Sequence, residues 1–195
     1  MKKPIFLPVL FLVFSQMAIA QTDSSYHTVS QGVFNFVGGL GLSTEKSLSK
    51  NNTLFLRAST NTAFDFVSNN AQSSTNFSLG LTLLGQYRHF YNLQKRIAKG
   101  RPVAHNWGNY IAFQVEQRNA GLFTNGATVL TGRYSSLTFG PVWGTQIVKN
   151  RFVVGFSAGL VGFVPLSGNV PGSIFSWPVQ PTSNFSLGIL LGKNK

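Results

Sequence analysis

A chain of 195 residues with 16 Lys and Arg against 4 Asp and Glu, no Cys and only 10% charged residues falls outside several classes at once. It is one domain by length, it has no thiols for a disulfide scaffold or a cysteine metal site, and four carboxylates leave little material for paired acid–base chemistry. Its charge density is low for a surface bathed in water.

The first element is an export signal. Lys2 and Lys3 form a charged start, an apolar run spans Ile5 to Phe14, and the small residues Ala18 and Ala20 flank Ile19 before Gln21, which predicts cleavage after Ala20. A membrane anchor is the competing reading of that run, but roughly ten apolar residues is half of what a spanning helix needs, and Ser15 and Gln16 follow at once. No Cys follows to carry a lipid. Removing 20 residues leaves 175 of 195 and takes the cations from 16 to 14 against 4 acids, so the mature chain carries about +10. That charge favours anionic partners, and in an exported chain these are lipid phosphates rather than nucleic acid; a simple gain in solubility is the plain alternative.

Residues 21–195 then read as all-β, a single antiparallel closed transmembrane β-barrel of about eight strands. Seven strands are legible at 32–45, 52–67, 76–90, 107–119, 133–148, 150–165 and 182–192. Closed bacterial barrels have an even count with both ends in the periplasm, so a short extra strand is placed at 24–30, before a turn near Gln31 and Gly32. Gly38-Gly39-Leu40-Gly41 is read as strand glycine rather than a phosphate loop, because no helix follows it.

What defines the strands is alternation. Along 76–90, Phe77, Leu79, Leu81, Leu83 and Tyr87 share one face, while Ser78, Gly80, Thr82, Leu84, Gln86 and Arg88 share the other. Successive strand side chains point to opposite faces, so one face is apolar and the other small or polar. The pattern repeats. Trp107, Ile111, Phe113 and Val115 oppose Gly108, Tyr110, Gln114, Glu116 and Arg118; Leu137, Phe139, Pro141, Trp143 and Ile147 oppose Ser136, Thr138, Gly140, Gly144 and Gln146. Phe152, Val154, Phe156 and Leu160 oppose Gly155, Ser157 and Gly159, and Phe185, Leu187, Ile189 and Leu191 oppose Asn184, Ser186, Gly188 and Gly192. A soluble sandwich or lipocalin alternates too, but would fill its wet face with Lys and Glu. Here that face holds Gly, Ser, Thr, Gln and Tyr, which suits the narrow lumen of about eight strands with lipid outside.

The few charges on strands fall on the small-residue face. Arg57, Ser59, Asn61 and Asp65 oppose Leu54, Leu56, Ala58, Phe64 and Phe66, and Glu45 and Glu116 match them, so three of the four acids point inward. Arg57, Arg88 and Arg118 are the available partners. An ion path or gate is the functional reading, and a self-satisfied structural plug is the expected one; Glu116 is expected to pair with Arg57 or Arg118.

The tight Lys149-Asn150 turn sets the orientation, because short turns of such barrels face the periplasm. The connections 68–75, 119–132 and 166–181 then lie outside the cell, and 91–106 lies in the periplasm. In that last segment Leu93 and Ile97 sit four apart, Lys95, Arg96 and Lys99 cluster, and Gly100 with Pro102 supplies a stop, which predicts a helical turn or two. Its basic cluster points to anionic lipid or peptidoglycan, against the plainer reading of a solvated turn.

The run Gln86-Tyr87-Arg88-His89-Phe90-Tyr91-Asn92-Leu93-Gln94-Lys95-Arg96-Ile97-Ala98-Lys99-Gly100, leading to Asn109-Tyr110, resembles a family of small outer-membrane β-barrel proteins from Bacteroidota-type bacteria. The likeness spans most of the mature chain by pattern, though only this stretch is distinctive. It implies the architecture of OmpA-like and OmpX-like barrels, an outer-membrane location in the cell envelope, outer-membrane lipids and the barrel assembly machinery as partners, and no particular chemistry. One departure is the end of the chain, Leu191-Gly192-Lys193-Asn194-Lys195, where such barrels usually carry an aromatic.

No catalytic, cofactor-binding or metal residues are assigned. His27, His89 and His105 lie in no recognisable Ser or acid constellation. A lipid acyl hydrolase would need a His such as His89 beside a Ser on the lipid-facing side; an interfacial aromatic-belt histidine is the ordinary explanation. Two function classes remain: a structural or surface-interaction barrel with a filled lumen, and a soluble periplasmic β-barrel that carries a small apolar ligand.

Overall fold

The structure is a computed structural model that describes residues 31–37, 40–69, 72–124, 134–168 and 179–191. The export signal, the strand expected at 24–30, His27 and the last four residues lie outside them. So does the side chain of Asp65, whose backbone pairs with Asn76.

Eight strands follow in order: β1 (Gln31–Val37), β2 (Gly41–Ser47), β3 (Asn52–Asn69), β4 (Gln72–Phe90), β5 (Gly108–Thr124), β6 (Tyr134–Lys149), β7 (Phe152–Gly168) and β8 (Val179–Leu191). Strands β3 to β8 form one strongly curled antiparallel sheet. The short β1–β2 hairpin joins its two edges, pairing Ser43 with Arg57 on one side and Phe34 with Ile189 on the other, and so closes the barrel. Closure gives each edge strand a partner and leaves an eight-strand interior only wide enough for side chains.

Two expectations are corrected. The strand expected at 32–45 is two strands, β1 and β2, paired antiparallel with each other, and this division brings the described strands to eight. Parity hides the reversal: Phe34 and Leu42 face each other across the hairpin, both are even-numbered and both are exposed, so apolar alternation runs through the turn unbroken. Gly38-Gly39 is a strong hairpin dipeptide, and that signal outweighs a reading as strand glycine. Second, β3 and β4 pair out to Asn69↔Gln72, which reduces the expected 68–75 loop to residues 70 and 71. Likewise β5 runs on to Thr124, β7 to Gly168, and β8 starts at Val179.

The facing of side chains follows the alternation. Tyr87, Ile111, Phe113, Trp143, Ile147, Leu160 and Phe185 are exposed on the outside, while Ser78, Gln86, Arg88, Gln114, Glu116 and Gln146 are buried inside. Leu81 shares the outward parity of Tyr87, and Ser78 the inward parity of Arg88. Between β4 and β5 the chain forms a short helix, α1 (Leu93–Ala98), then a 3-10 turn at Ala104–Asn106. The helix ends as expected: Gly100 takes φ +63, a conformation glycine adopts freely, and its N–H donates to the Ile97 carbonyl. Among the described residues no helix is long and apolar enough to cross a membrane, which says nothing of strands.

Candidate functional site

Antiparallel order puts α1, the β2–β3 and β6–β7 turns and the outer ends of β1 and β8 at one end of the barrel. At this α1 end the interior is shut by an apolar layer of Phe90, Leu93, Tyr110, Ala112 and Val142, with Val103 packed against it. Leu93 reaches in from α1 and is buried, so the segment read as a solvated turn contributes one side chain to the plug, while Ile97, Lys95 and Lys99 are exposed. Inward Gly144 makes the layer fit, because a Cβ there would fall on the Tyr110 ring. A second cluster, Val148, Val153 and Leu190, lies alongside.

The next layer is charged. Glu45 is 1% exposed and accepts from Thr53 Oγ1 at 2.7 Å, Gln146 Nε2 at 3.1 Å and Arg88 Nη1 at 3.4 Å. Arg88 also donates to Gln86 Oε1 at 2.8 Å and Gln146 Oε1 at 3.0 Å, and Gln86 in turn donates to Gln114 Oε1 at 3.1 Å. The Arg88 guanidinium lies over the Phe55 ring, 3.6 Å from its centroid, with Tyr110 at 4.5 Å. Phe55 is thus an inward aromatic, and it suits its place because a guanidinium plane stacks on an aromatic face. Beyond this, Arg57 donates to Asn184 Oδ1 at 3.1 Å while its Nε is buried with no hydrogen-bond partner among the described residues. The enclosed space between these groups, bounded by Glu45, Phe55, Arg57 and Arg88, is about 30 Å³, room for little more than a water molecule. Toward the far end the interior widens into a cavity of about 230 Å³ lined by Glu116, Arg118, Tyr134 and Gln180.

Two of the three inward acids, Glu45 and Glu116, have described cationic partners. Glu116 takes Arg118 at 2.9 Å, one of its two named candidates, and not Arg57, which is bonded to Asn184. Arg88 goes to Glu45. His89 Nδ1 lies 2.7 Å from Asn52 Oδ1 across the β3–β4 ladder, and the His105 carbonyl accepts from Gln146 Nε2. Among the described residues no three of His, Cys, Asp and Glu gather as a metal site would require.

A further concavity lies on the outside of the barrel at the α1 end. It holds about 490 Å³ and is lined by Tyr91, Asn92, Lys95, Arg96, Lys99, Arg101 and Asn109. The loop behind it is pinned: Arg96 donates to the Pro102 carbonyl from Nε at 3.2 Å and from Nη2 at 3.0 Å, with its guanidinium 5.2 Å from the Trp107 ring centroid. Trp143 Nε1 donates to Tyr91 Oη at 2.8 Å, which ties the pocket rim to β6. Sequence alone supplied Lys95, Arg96 and Lys99; it missed Tyr91, Asn92, Arg101 and Asn109. Their convergence depends on how the 91–107 segment folds back on β5, and the usable signal was the donor-rich string 91–101 itself.

Comparison with protein-family models, with curated proteins and with solved structures returned no match to the chain.

Proposed function

We propose that this chain is a small integral β-barrel protein of a bacterial outer membrane, exported by a signal peptide cleaved after Ala20, with a filled lumen and a structural or surface-interaction role rather than a catalytic one. The observation that carries this reading is an inverted distribution of polarity. Phe113, Trp143, Ile147, Phe156, Leu160 and Phe185 are exposed around the outside, while Glu45, Arg57, Arg88, Gln86, Gln114 and Gln146 are buried inside. A barrel in water with that exterior would leave a continuous apolar belt wetted, far beyond the patches that soluble monomers tolerate. In lipid the same exterior is the ordinary one, and the polar interior is compensated by its own hydrogen bonds.

The Tyr91–Trp143 pair supports placing the α1 end at a membrane–water interface, where aromatic girdles sit. Both described ends of the sheet meet there, which suits the periplasmic side. The ends of β3 to β8 remote from α1 then face the cell exterior. The likeness of 86–100 to small outer-membrane barrels of Bacteroidota-type bacteria points the same way, and so do partners of the envelope: outer-membrane lipids, the barrel assembly machinery and, through the basic segment 91–106, anionic lipid or peptidoglycan. A soluble carrier of an apolar ligand would need a roomy apolar interior, commonly ~300 Å³ or more. The interior offers about 30 Å³ between charged groups near Glu45 and Arg88 and about 230 Å³ beside the Glu116–Arg118 ion pair, so neither space is a roomy apolar one.

The test is gel mobility with and without boiling, combined with fractionation. A folded barrel extracted from outer membranes by detergent should migrate differently before and after boiling. Recovery in the periplasmic fraction without detergent would overturn the membrane reading in favour of the soluble carrier.

A further inference from the structure

We propose that the pocket lined by Tyr91, Asn92, Lys95, Lys99, Arg101 and Asn109 is a binding site for the phosphate headgroup of an anionic lipid, in the leaflet that meets the α1 end. The inference rests on the membrane reading above.

Its first support is that the pocket can donate hydrogen bonds and has little left to accept them. Lys95, Lys99 and Arg101 carry only donors. The oxygen of each neutral group already accepts one bond from within the fold: Asn92 Oδ1 takes the Asn109 backbone N–H at 2.8 Å, Asn109 Oδ1 takes Thr145 Oγ1 at 2.9 Å, and Tyr91 Oη takes Trp143 Nε1 at 2.8 Å. The donors left in the lining are two amide NH2 groups, one phenolic O–H and the cationic heads of Lys95, Lys99 and Arg101, with Arg96, bonded to Pro102, adding a fourth positive charge. No carboxylate lines the pocket. A ligand matching that set is an acceptor-only anion, and phosphate is the commonest such group at a membrane surface.

The second support is what adjoins the pocket, and it selects a lipid over a free ion. Asn109, Ile111 and Phe113 succeed one another on the outer face of β5, Ile111 pairs with Trp143, and Ile111, Phe113 and Trp143 are all exposed. A headgroup held at Asn109 therefore has an apolar strip leading from it toward the middle of the barrel wall, as an acyl chain requires. The third is pre-organisation. Arg96 is bonded to Pro102 and stacked on Trp107, so it shapes the loop that presents Lys99 and Arg101. Gly108 leaves room for Asn92, since a Cβ there would lie 2.8 Å from Asn92 Oδ1.

The experiment uses protein produced from the full-length chain, extracted and purified in detergent, and measures retention of phosphatidylglycerol against phosphatidylethanolamine by native mass spectrometry. Each cation near a membrane surface contributes roughly fivefold, so the triple variant Lys95→Gln/Lys99→Gln/Arg101→Gln should lose on the order of 100-fold in phosphatidylglycerol binding. Its boiled and unboiled gel mobilities should stay as in the parent, and the charge-conserving Lys99→Arg/Arg101→Lys variant should retain most binding. Equal retention of the two lipids by the parent overturns the proposal, as does an equal loss from a control that removes rim cations elsewhere, Lys46→Gln/Lys50→Gln/Lys149→Gln. Displacement of the lipid by millimolar inorganic phosphate would assign the pocket to the free ion instead. Co-sedimentation with insoluble peptidoglycan that depends on the three cations, with no lipid preference, would assign it to the wall. A barrel that remains heat-modifiable while the lipid preference is absent sinks only this proposal; a protein recovered without detergent sinks the membrane reading with it.

Discussion

Replacing Glu45 with Gln removes one charge and very little volume, yet it should be among the most damaging conservative changes in the chain. Three donors converge on this carboxylate, from Thr53, Gln146 and Arg88, and its side chain is 1% exposed. An amide offers one acceptor oxygen and turns an NH2 toward groups that are themselves donors. The larger effect is on Arg88, whose side chain is 6% exposed and whose ion pair is with Glu45. Leaving a buried charge without its partner costs about 3 to 5 kcal/mol, a large part of a typical folding free energy. Arg88→Met keeps a long apolar stem against Phe55 and Tyr110 and removes the charge, so the double variant Glu45→Gln/Arg88→Met should recover about 1 to 3 kcal/mol relative to the sum of the single losses. Urea unfolding in detergent micelles, followed by tryptophan fluorescence and by the gel shift, reads all four proteins. Glu116→Gln is the internal comparison. Its partner Arg118 is 48% exposed, and an ion pair open to water contributes about 1 kcal/mol or less. Additive losses in the Glu45–Arg88 cycle, or a Glu116→Gln loss as large as that of Glu45→Gln, would refute the argument that burial sets the hierarchy.

Other expectations are simpler. Phe113→Arg should destabilise the folded barrel in lipid by about 2 to 4 kcal/mol if the residue lies near the midplane, with a smaller loss in the same assay for an Arg placed nearer the rim at Tyr91. Gly144→Ala should cost about 1 to 3 kcal/mol by overpacking against the Tyr110 ring, and adding Tyr110→Leu should return part of it; equal stability of Gly144→Ala and the parent would show that the ring moves freely. Planar-bilayer recordings should show no sustained porin-like conductance, because Phe90, Leu93 and Tyr110 shut the α1 end of the interior. Large, steady channels would contradict that packing.

Period-two alternation made most of the sheet legible, and it worked best where both faces carry unambiguous residues, as along Ser78 to Phe90. It failed at the β1–β2 hairpin for a specific reason. Phe34 and Leu42 keep the same parity across the reversal, so no break in the pattern marks it, and only Gly38-Gly39 does. The inward charges were legible as inward, but their partners were not. Glu45 and Arg88 stand 43 residues apart on β2 and β4, with β3 between them, and only the curl of the sheet brings them together. Phe55 is apolar on a polar face, which reads as noise until the Arg88 guanidinium is seen on its ring. Leu93 was legible as the apolar side of a short helix, while its burial depends on how the 91–107 segment folds over Phe90 and Tyr110. The outer pocket is the least legible feature, because Tyr91 and Trp143, 52 residues apart, join only in the fold.

In a membrane, the outward face of the barrel wall meets lipid, while the inward face beside it, at Ala112 and Gln114, is buried from both lipid and bulk water. The chain has no cysteine, so single cysteines from Ile111 to Val115 can each carry one spin label without a background to remove. Collision with lipid-soluble oxygen and with a water-soluble nickel chelate, measured in reconstituted bilayers, reads both environments at once. Oxygen accessibility should alternate with period two, high at positions 111, 113 and 115 and low at 112 and 114, with little nickel accessibility at any of them. High nickel accessibility at 111, 113 and 115 would contradict it, because those side chains would then face water and the barrel would not be in a membrane.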